Sequence, residues 1–188
     1  MTAEEVFRRI IGKLEQANVP YMVTGSFASA FHGVPRATQD IDLDVAPSED
    51  QLRALLRLLP PEEYCVDEVA ALEAARAEAQ FNVIDLEAGW KIDLIVRKGR
   101  PFSRAEFERR GSAKVWGLAL ALASLEDVIL AKLEWARLGQ SERQLEDVVA
   151  LLRVRGPDLD RAYLDRWIPE LGVASEWIRV VQRAGLGE

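Results

Sequence analysis

Three aspartates, Asp40, Asp42 and Asp44, alternate with apolar residues in the segment Asp40–Val45. Successive side chains of a β-strand point to opposite faces, so the three carboxylates share one face and the apolar side chains the other. Carboxylates this close together repel one another and resist ionisation unless a cation neutralises them. Because oxygen ligands suit hard cations such as Mg²⁺, the segment predicts a strand that carries a divalent-cation site.

A turn and a short helix precede the aspartate strand. Tyr21–Thr24 is predicted to be a strand, Gly25 permits a sharp turn out of it, and Ser26–Phe31 follows as a helix. The first amide N–H groups of a helix bind anions such as phosphate. Phosphates at this helix end and magnesium at the aspartate strand would form one site for phosphoryl transfer, in which metals bracket the displacement.

A further carboxylate, Asp93, lies on a later predicted strand, Trp90–Arg97, which forms a hairpin with Phe81–Leu86. Lys91 and Asp93 share one face of that strand. If this strand neighbours the aspartate strand, Asp93 joins the row of carboxylates. It would then complete a second metal site or help to deprotonate an acceptor hydroxyl.

The Gly-Ser turn, the Asp-x-Asp pair and the later aspartate together resemble the signature of the minimal nucleotidyltransferase superfamily. The loop GVPRATQDIDL is closer to the AbiEii and MenT-type branch, and it is also similar to the lincosamide nucleotidyltransferases. Much of the remainder resembles a bacterial group of stand-alone nucleotidyltransferases, and the resemblance covers Tyr21 to Leu152. It implies transfer of a nucleoside monophosphate from an NTP to a hydroxyl, with Mg²⁺ or Mn²⁺ as the cofactor.

The resemblance also implies a role for each site residue. The phosphate-binding residues are Gly25 and Ser26, and the metal-binding and catalytic residues are Asp40, Asp42 and Asp93. Asp44 departs from the pattern, which has an apolar residue at this position. Asp44 therefore either lies at the far edge of the site or faces water.

Lys132 falls in the apolar stripe of a predicted helix, Leu125–Leu138, opposite Glu126, Asp127 and Glu134. A buried lysine is costly unless an anion meets it, and a triphosphate or a catalytic carboxylate would serve. The alternative is that the long stem carries the ammonium to the surface. The matching helix of AbiEii-like proteins also carries a site lysine, which favours a role for Lys132 in catalysis and nucleotide binding.

Four further residues are candidates for nucleotide binding. Arg143 and Asp147 are four residues apart in the predicted helix Glu142–Arg155, so they form either a surface ion pair or part of the site. Arg36 and Thr38 precede the aspartates and are placed to contact phosphate. The alternative for this pair is a solvated loop.

The remaining elements follow from caps and periodicity. A helix is predicted over Ala3–Gln16, a last edge strand over Val115–Leu118, and only helices after Ser124. The predicted helix caps are Thr2 with Glu5, Ser48 with Gln51, Ser124 with Asp127, and Ser141 with Gln144. The predicted fold is α+β, a nucleotidyltransferase-like mixed β-sheet flanked by helices. Its two parts are residues 1–113 and a helical C-terminal region, 114–188, that closes the cleft.

Composition limits the class of protein. The 188 residues are 49% hydrophobic and 29% charged, which is typical of a soluble globular chain. The net charge of -7 argues against a broad nucleic-acid-binding surface. Cys65 is the only cysteine and His32 the only histidine, which excludes disulfides and HExxH-type metal sites. No apolar run reaches transmembrane length, so a cytoplasmic protein with no membrane partner is expected.

The partners expected are an NTP and an acceptor that offers a hydroxyl. RNA such as tRNA, a small molecule and a protein side chain are all compatible with the residues. A toxin with an antitoxin protein as its partner would use the same chemistry. Two other functions stay open: a nucleotide-binding regulatory protein without transfer, and a metal-dependent phosphodiesterase or nuclease.

Overall fold

The computed structural model describes residues 2–33, 35 and 38–186 as an α+β fold. The strands are β1 Tyr21–Val23, β2 Asp40–Val45, β3 Tyr64–Val66, β4 Gln80–Asp85, β5 Trp90–Val96, β6 Gly111–Val115 and β7 Leu118–Leu122. The helices are α1 Ala3–Gln16, α2 Gly25–His32, α3 Glu49–Arg57, α4 Glu68–Ala77, α5 Pro101–Glu108, α6 Leu125–Gly139, α7 Glu142–Arg155, α8 Arg161–Leu171 and α9 Ala174–Ala184. A 3₁₀ turn, Gly156–Asp158, follows α7.

The strands form one mixed sheet in the order β3-β4-β5-β2-β1-β7-β6. β2 runs parallel to β5 and antiparallel to β1, while β1 runs parallel to β7. The predicted α+β fold with a mixed sheet is therefore confirmed.

The chain divides into two compact units. The sheet unit consists of Met1–Ser26 and Ala37–Leu122, and the helical unit consists of Phe27–Arg36 and Ala123–Glu188. The sequence suggested a boundary between residues 113 and 114, whereas the C-terminal part of the helical unit begins after Leu122. The reason is that Leu122, at the end of β7, pairs with Val23 of β1 and so holds the β6–β7 hairpin in the sheet.

One face of the sheet unit is apolar because the apolar residues of β2 are paired with apolar residues of β5. The paired residues Ile41–Ile92, Leu43–Leu94 and Val45–Val96 are buried, and the aspartates of β2 project from the other face. Helix α1 buries its apolar stripe, α1 contacts α3, α3 contacts α4, and α4 contacts β4. The apolar alternation therefore sets which face of β2 carries the carboxylates.

Three of the four predicted helix caps form. They are the capping boxes of Thr2 with Glu5 and of Ser48 with Gln51, and the side-chain cap of Ser124 on the Asp127 amide. The fourth is wrong, since Ser141 makes no side-chain cap hydrogen bond. The side chain of Gln144 instead accepts a hydrogen bond from Lys132 Nζ at 3.0 Å.

The predicted edge strand Val115–Leu118 is wrong. Val115 ends β6 and Leu118 begins β7, and the turn between them has φ of 50° at Trp116 and 79° at Gly117. Positive φ at both central residues suits the right-handed twist of a hairpin. A tryptophan in place of the usual Asn or Asp weakens the sequence signal for this turn.

The helical unit packs α6 against α7, α8 and α9. Its core includes Leu130 and Leu133 of α6, Val148 of α7 and Trp167 of α8, each almost fully buried. Within the described residues, every helix falls short of the length and apolarity that crossing a bilayer requires.

Candidate active site

The aspartate strand lies beside the strand that carries Asp93. In the parallel register of β2 and β5, Asp42 is paired with Asp93, and Asp40 is paired with Lys91. Paired residues on neighbouring strands point to the same face of the sheet. Asp40, Asp42 and Asp93 therefore share one face, and Lys91 lies among them.

The Gly25 turn is fitted against Asp42. Gly25 has φ of +59°, and a Cβ added to it would overlap Asp42 Oδ2 and lie 2.8 Å from the Asp42 Cβ. The Thr24 amide donates to the Asp42 carbonyl oxygen at 3.0 Å, and the Ser26 amide donates to Asp42 Oδ2 at 3.4 Å. Only glycine combines this backbone conformation with this approach, so the turn and the carboxylate are built as one unit.

Asp93 is 9% exposed, and its two oxygens have different surroundings. Oδ2 accepts a hydrogen bond from Lys91 Nζ at 2.8 Å. Oδ1 is buried and has no hydrogen-bond partner in the part of the chain that the structure describes. A buried carboxylate oxygen without a donor is unfavourable, which makes Oδ1 suited to a cation or to the proton of an acceptor.

The donor set suits a magnesium ion whose remaining ligands are phosphate oxygens and water. Among the described residues, no three or more His, Cys, Asp or Glu side chains form a group that could hold a metal ion. Magnesium is usually bound by one or two carboxylates with substrate phosphates rather than by a cage of protein ligands alone. Asp42 and the unpartnered oxygen of Asp93 match that pattern.

Lys91 is the residue that the sequence placed beside Asp93 without giving it a role. Its pKa is raised by the hydrogen bond to Asp93 and by the charges of Asp93, Asp40 and Asp42. The positive charge of Lys91 is thus stabilised by all three carboxylates. The Lys-x-Asp spacing on a strand was the available signal, because it puts a cation and a carboxylate on the same face.

Asp44 lies on the same face as Asp42 but in different surroundings. It is partly buried and is paired with Ile95 of β5. Burial raises its pKa to about 7, the charge of Asp42 adds to that shift, and Arg100 and Lys98 oppose it. Its side chain is therefore not simply solvated. The alternative that it lies at the far edge of the site stays a prediction.

Asp40 begins β2 and is exposed. Its amide donates to Thr38 Oγ1 at 3.2 Å, and Thr38 Oγ1 donates to the Asp40 carbonyl at 3.3 Å. Thr38 therefore closes a local turn at the start of the strand, and its predicted contact with phosphate stays a prediction. Arg36, the other predicted phosphate contact in this loop, lies outside the described residues.

Lys132 is 4% exposed and meets an anion within the helical unit. Its ammonium donates to Asp147 Oδ2 at 2.7 Å and to Gln144 Oε1 at 3.0 Å. The alternative in which its stem reaches the surface is therefore wrong. Asp147 pairs with Lys132, while Arg143 is exposed. The nucleotide-binding roles of Lys132, Arg143 and Asp147 stay predictions.

Glu126 and Asp127, on the helix face opposite Lys132, are also buried. Asp127 accepts hydrogen bonds from the Tyr163 hydroxyl at 2.7 Å and from Ser124 Oγ at 2.6 Å. Glu126 accepts one from the Asp160 amide at 2.9 Å. The start of α8 thus covers the first turn of α6, and these carboxylates join the two helices.

The architecture matches solved nucleotidyltransferase structures at low sequence identity. ANT(2'')-Ia in complex with adenylyl-2''-tobramycin superposes with a TM-score of 0.55 and 14% identity, covering 93% of this chain and 97% of that one. The lincosamide antibiotic adenylyltransferase LnuA, lincomycin-bound, gives 0.53 and 16%, covering 80% and 96%. TM1012 of Thermotoga maritima, a proposed nucleotidyltransferase, gives 0.50 and 20%, covering 76% and 92%. The chain matches no protein-family model and no curated protein sequence.

These similarities establish that the chain has the nucleotidyltransferase fold. The fold expected from the Gly-Ser turn and the aspartates is thereby confirmed. The resemblance to the AbiEii and MenT-type branch stays a prediction.

Proposed function

We propose that the protein is a magnesium-dependent nucleotidyltransferase that moves a nucleoside monophosphate from an NTP to a hydroxyl acceptor. The observation that carries the proposal is the register that pairs Asp42 with Asp93, with the Gly25 turn fitted against Asp42. This combination unites two adjacent carboxylates with the start of a helix. The match in fold to adenylyltransferases supports the same reaction.

The residues of the sheet unit divide the chemistry among them. Asp42 and Asp93 would hold the metal together with phosphate oxygens and water, and Asp40 stays a predicted further ligand. The start of helix α2 at Gly25 and Ser26 would face phosphate oxygens. When bound, the metal would supply positive charge that neutralises the charge developing on the phosphates in the transition state. Asp93 Oδ1, buried and without a donor among the described residues, would either bind this metal or accept the proton of the attacking hydroxyl.

The acceptor is a hydroxyl on a small molecule, an RNA such as tRNA, or a protein. The names of the structural neighbours favour testing ATP and small hydroxylated molecules first, since ANT(2'')-Ia is described with adenylyl-2''-tobramycin and LnuA with lincomycin. A toxin that modifies tRNA in the cytoplasm and is held by an antitoxin would use the same residues. Genetic context and growth assays address that role separately.

The test uses two labels on the same nucleotide. Each NTP, labelled on the α- or the γ-phosphate, is incubated with Mg²⁺ and with pools of small molecules, tRNA or protein. Transfer of the α-label to an acceptor, with the γ-label released in pyrophosphate, is the expected result. Asp42→Asn is the matched control because it keeps the size of the side chain and removes its charge.

Two results would contradict transfer. Cleavage of RNA or DNA without any NTP would identify a metal-dependent phosphodiesterase or nuclease. Binding of NTP, with neither label transferred to any pool, would favour a regulatory nucleotide-binding protein.

A further inference from the structure

Lys91 places a positive charge at the carboxylates proposed to hold metal. Lys91 Nζ donates to Asp93 Oδ2 at 2.8 Å. In the pairing of β5 with β2, Lys91 lies beside Asp40. The ammonium thus already neutralises one oxygen of the Asp93 carboxylate. A divalent cation that approaches Asp93 must overcome repulsion by this charge.

The two partners differ in their freedom to move. The side chain of Asp93 on β5 is 12% exposed, whereas the side chain of Lys91 is 44% exposed. Lysine carries its charge on a flexible four-carbon stem and is readily solvated. When the carboxylate binds another cation, the lysine is therefore the member of the pair that moves.

We propose that Lys91 is a positioning residue that occupies Asp93 until metal and nucleotide bind together. The inference rests on the proposed function. The ammonium holds the Asp93 carboxylate in place and lowers the affinity of the site for metal alone. The phosphates that arrive with the nucleotide give the ammonium a second anionic partner and free Asp93 for the metal. Metal binding is thereby coupled to nucleotide binding.

The test titrates the protein with Mn²⁺ in the absence of nucleotide. The electron paramagnetic resonance signal of the free ion reports how much Mn²⁺ remains unbound. Lys91→Met removes the charge and retains an unbranched side chain. We expect it to bind Mn²⁺ about tenfold more tightly than the wild type, the factor expected from one lost charge-assisted hydrogen bond. Lys114→Met is the matched control, since exposed Lys114 lies on edge strand β6 and its loss changes the net charge equally.

A second titration in the presence of a non-hydrolysable ATP analogue separates this role from a structural one. The analogue should tighten Mn²⁺ binding more in the wild type than in Lys91→Met, because only the wild type must displace an ammonium. Circular dichroism verifies that each variant is folded. Lys91→Gln replaces Lys91→Met if the latter does not fold.

The outcomes distinguish this inference from the proposed function. If Lys91→Met binds Mn²⁺ no more tightly than the wild type, while Asp42→Asn weakens binding, the role of Lys91 is wrong and the metal site stands. If Asp42→Asn and Asp93→Asn both leave Mn²⁺ binding unchanged, the metal site itself is wrong. If no variant binds Mn²⁺, the inference is also overturned.

Discussion

Replacing Gly25 by alanine tests whether the Gly25 turn positions Asp42. A left-handed backbone with a side chain costs roughly 1–2 kcal/mol, and Gly25 has φ of +59°. In addition, the new Cβ would lie 2.8 Å from the Asp42 Cβ, whereas carbon atoms prefer about 3.5–4.0 Å. The turn and the strand must therefore separate by about 1 Å, a displacement that can lower catalysis by about 10²-fold.

Gly89→Ala is the matched control for Gly25→Ala. Gly89 also has positive φ, +67°, but nothing lies within 4 Å of an added Cβ. Both variants should lose stability in urea unfolding through backbone strain. Gly25→Ala should lose more stability than Gly89→Ala. It alone should also lose transfer of the α-label. If the two variants lost equal stability and Gly25→Ala kept full transfer, the coupling of the turn to Asp42 would be refuted.

Three further predictions concern single side chains. Asp42→Ala should lower transfer by about 10³-fold and leave the urea midpoint unchanged or higher, because it relieves repulsion with Asp44. Lys132→Met should lower the free energy of unfolding by about 3 kcal/mol, because it removes the buried ammonium that neutralises Asp147. Recovery of stability in Lys132→Met/Asp147→Leu would support this reason. Wild-type stability of Lys132→Met would contradict it. Burial lowers the pKa of His32 below 6.5, so stability should fall as pH drops below that value, where the unfolded chain takes up the proton first. Urea unfolding at about pH 7.5 and 5.5 gives the change in the free energy of unfolding with pH for the wild type and for His32→Gln. This change should be larger for the wild type, and an equal change would contradict a buried neutral histidine.

The local placement of the site was accessible from the sequence because strand alternation is simple. The pattern of β2 predicted that its aspartates share a face, and the apolar residues of β5 predicted the orientation of Asp93. The register that pairs Asp42 with Asp93 was not predictable, since it depends on how two strands far apart in the chain align. The interaction of Lys91 with Asp93 follows from the same local alternation, but a role for it requires that register.

The helical unit shows where periodicity is insufficient. The sequence identified the helix that carries Lys132 and its buried stripe, but it did not identify Asp147 as the partner. That pairing depends on the rotation of α7 against α6, which neither helix encodes alone. The contacts of Glu126 and Asp127 with the start of α8 are also a long-range feature that the pattern of α6 does not reveal.

The most direct test of the central claim is a calorimetric titration with ATP, CTP, GTP and UTP, with and without Mg²⁺. It is performed on the wild type and on Asp40→Ala/Asp42→Ala. We expect that at least one NTP binds the wild type in a Mg²⁺-dependent manner and that the double variant loses this binding. Equal binding by the double variant, or no binding of any NTP to the wild type, would contradict a nucleotide site at the aspartate strand.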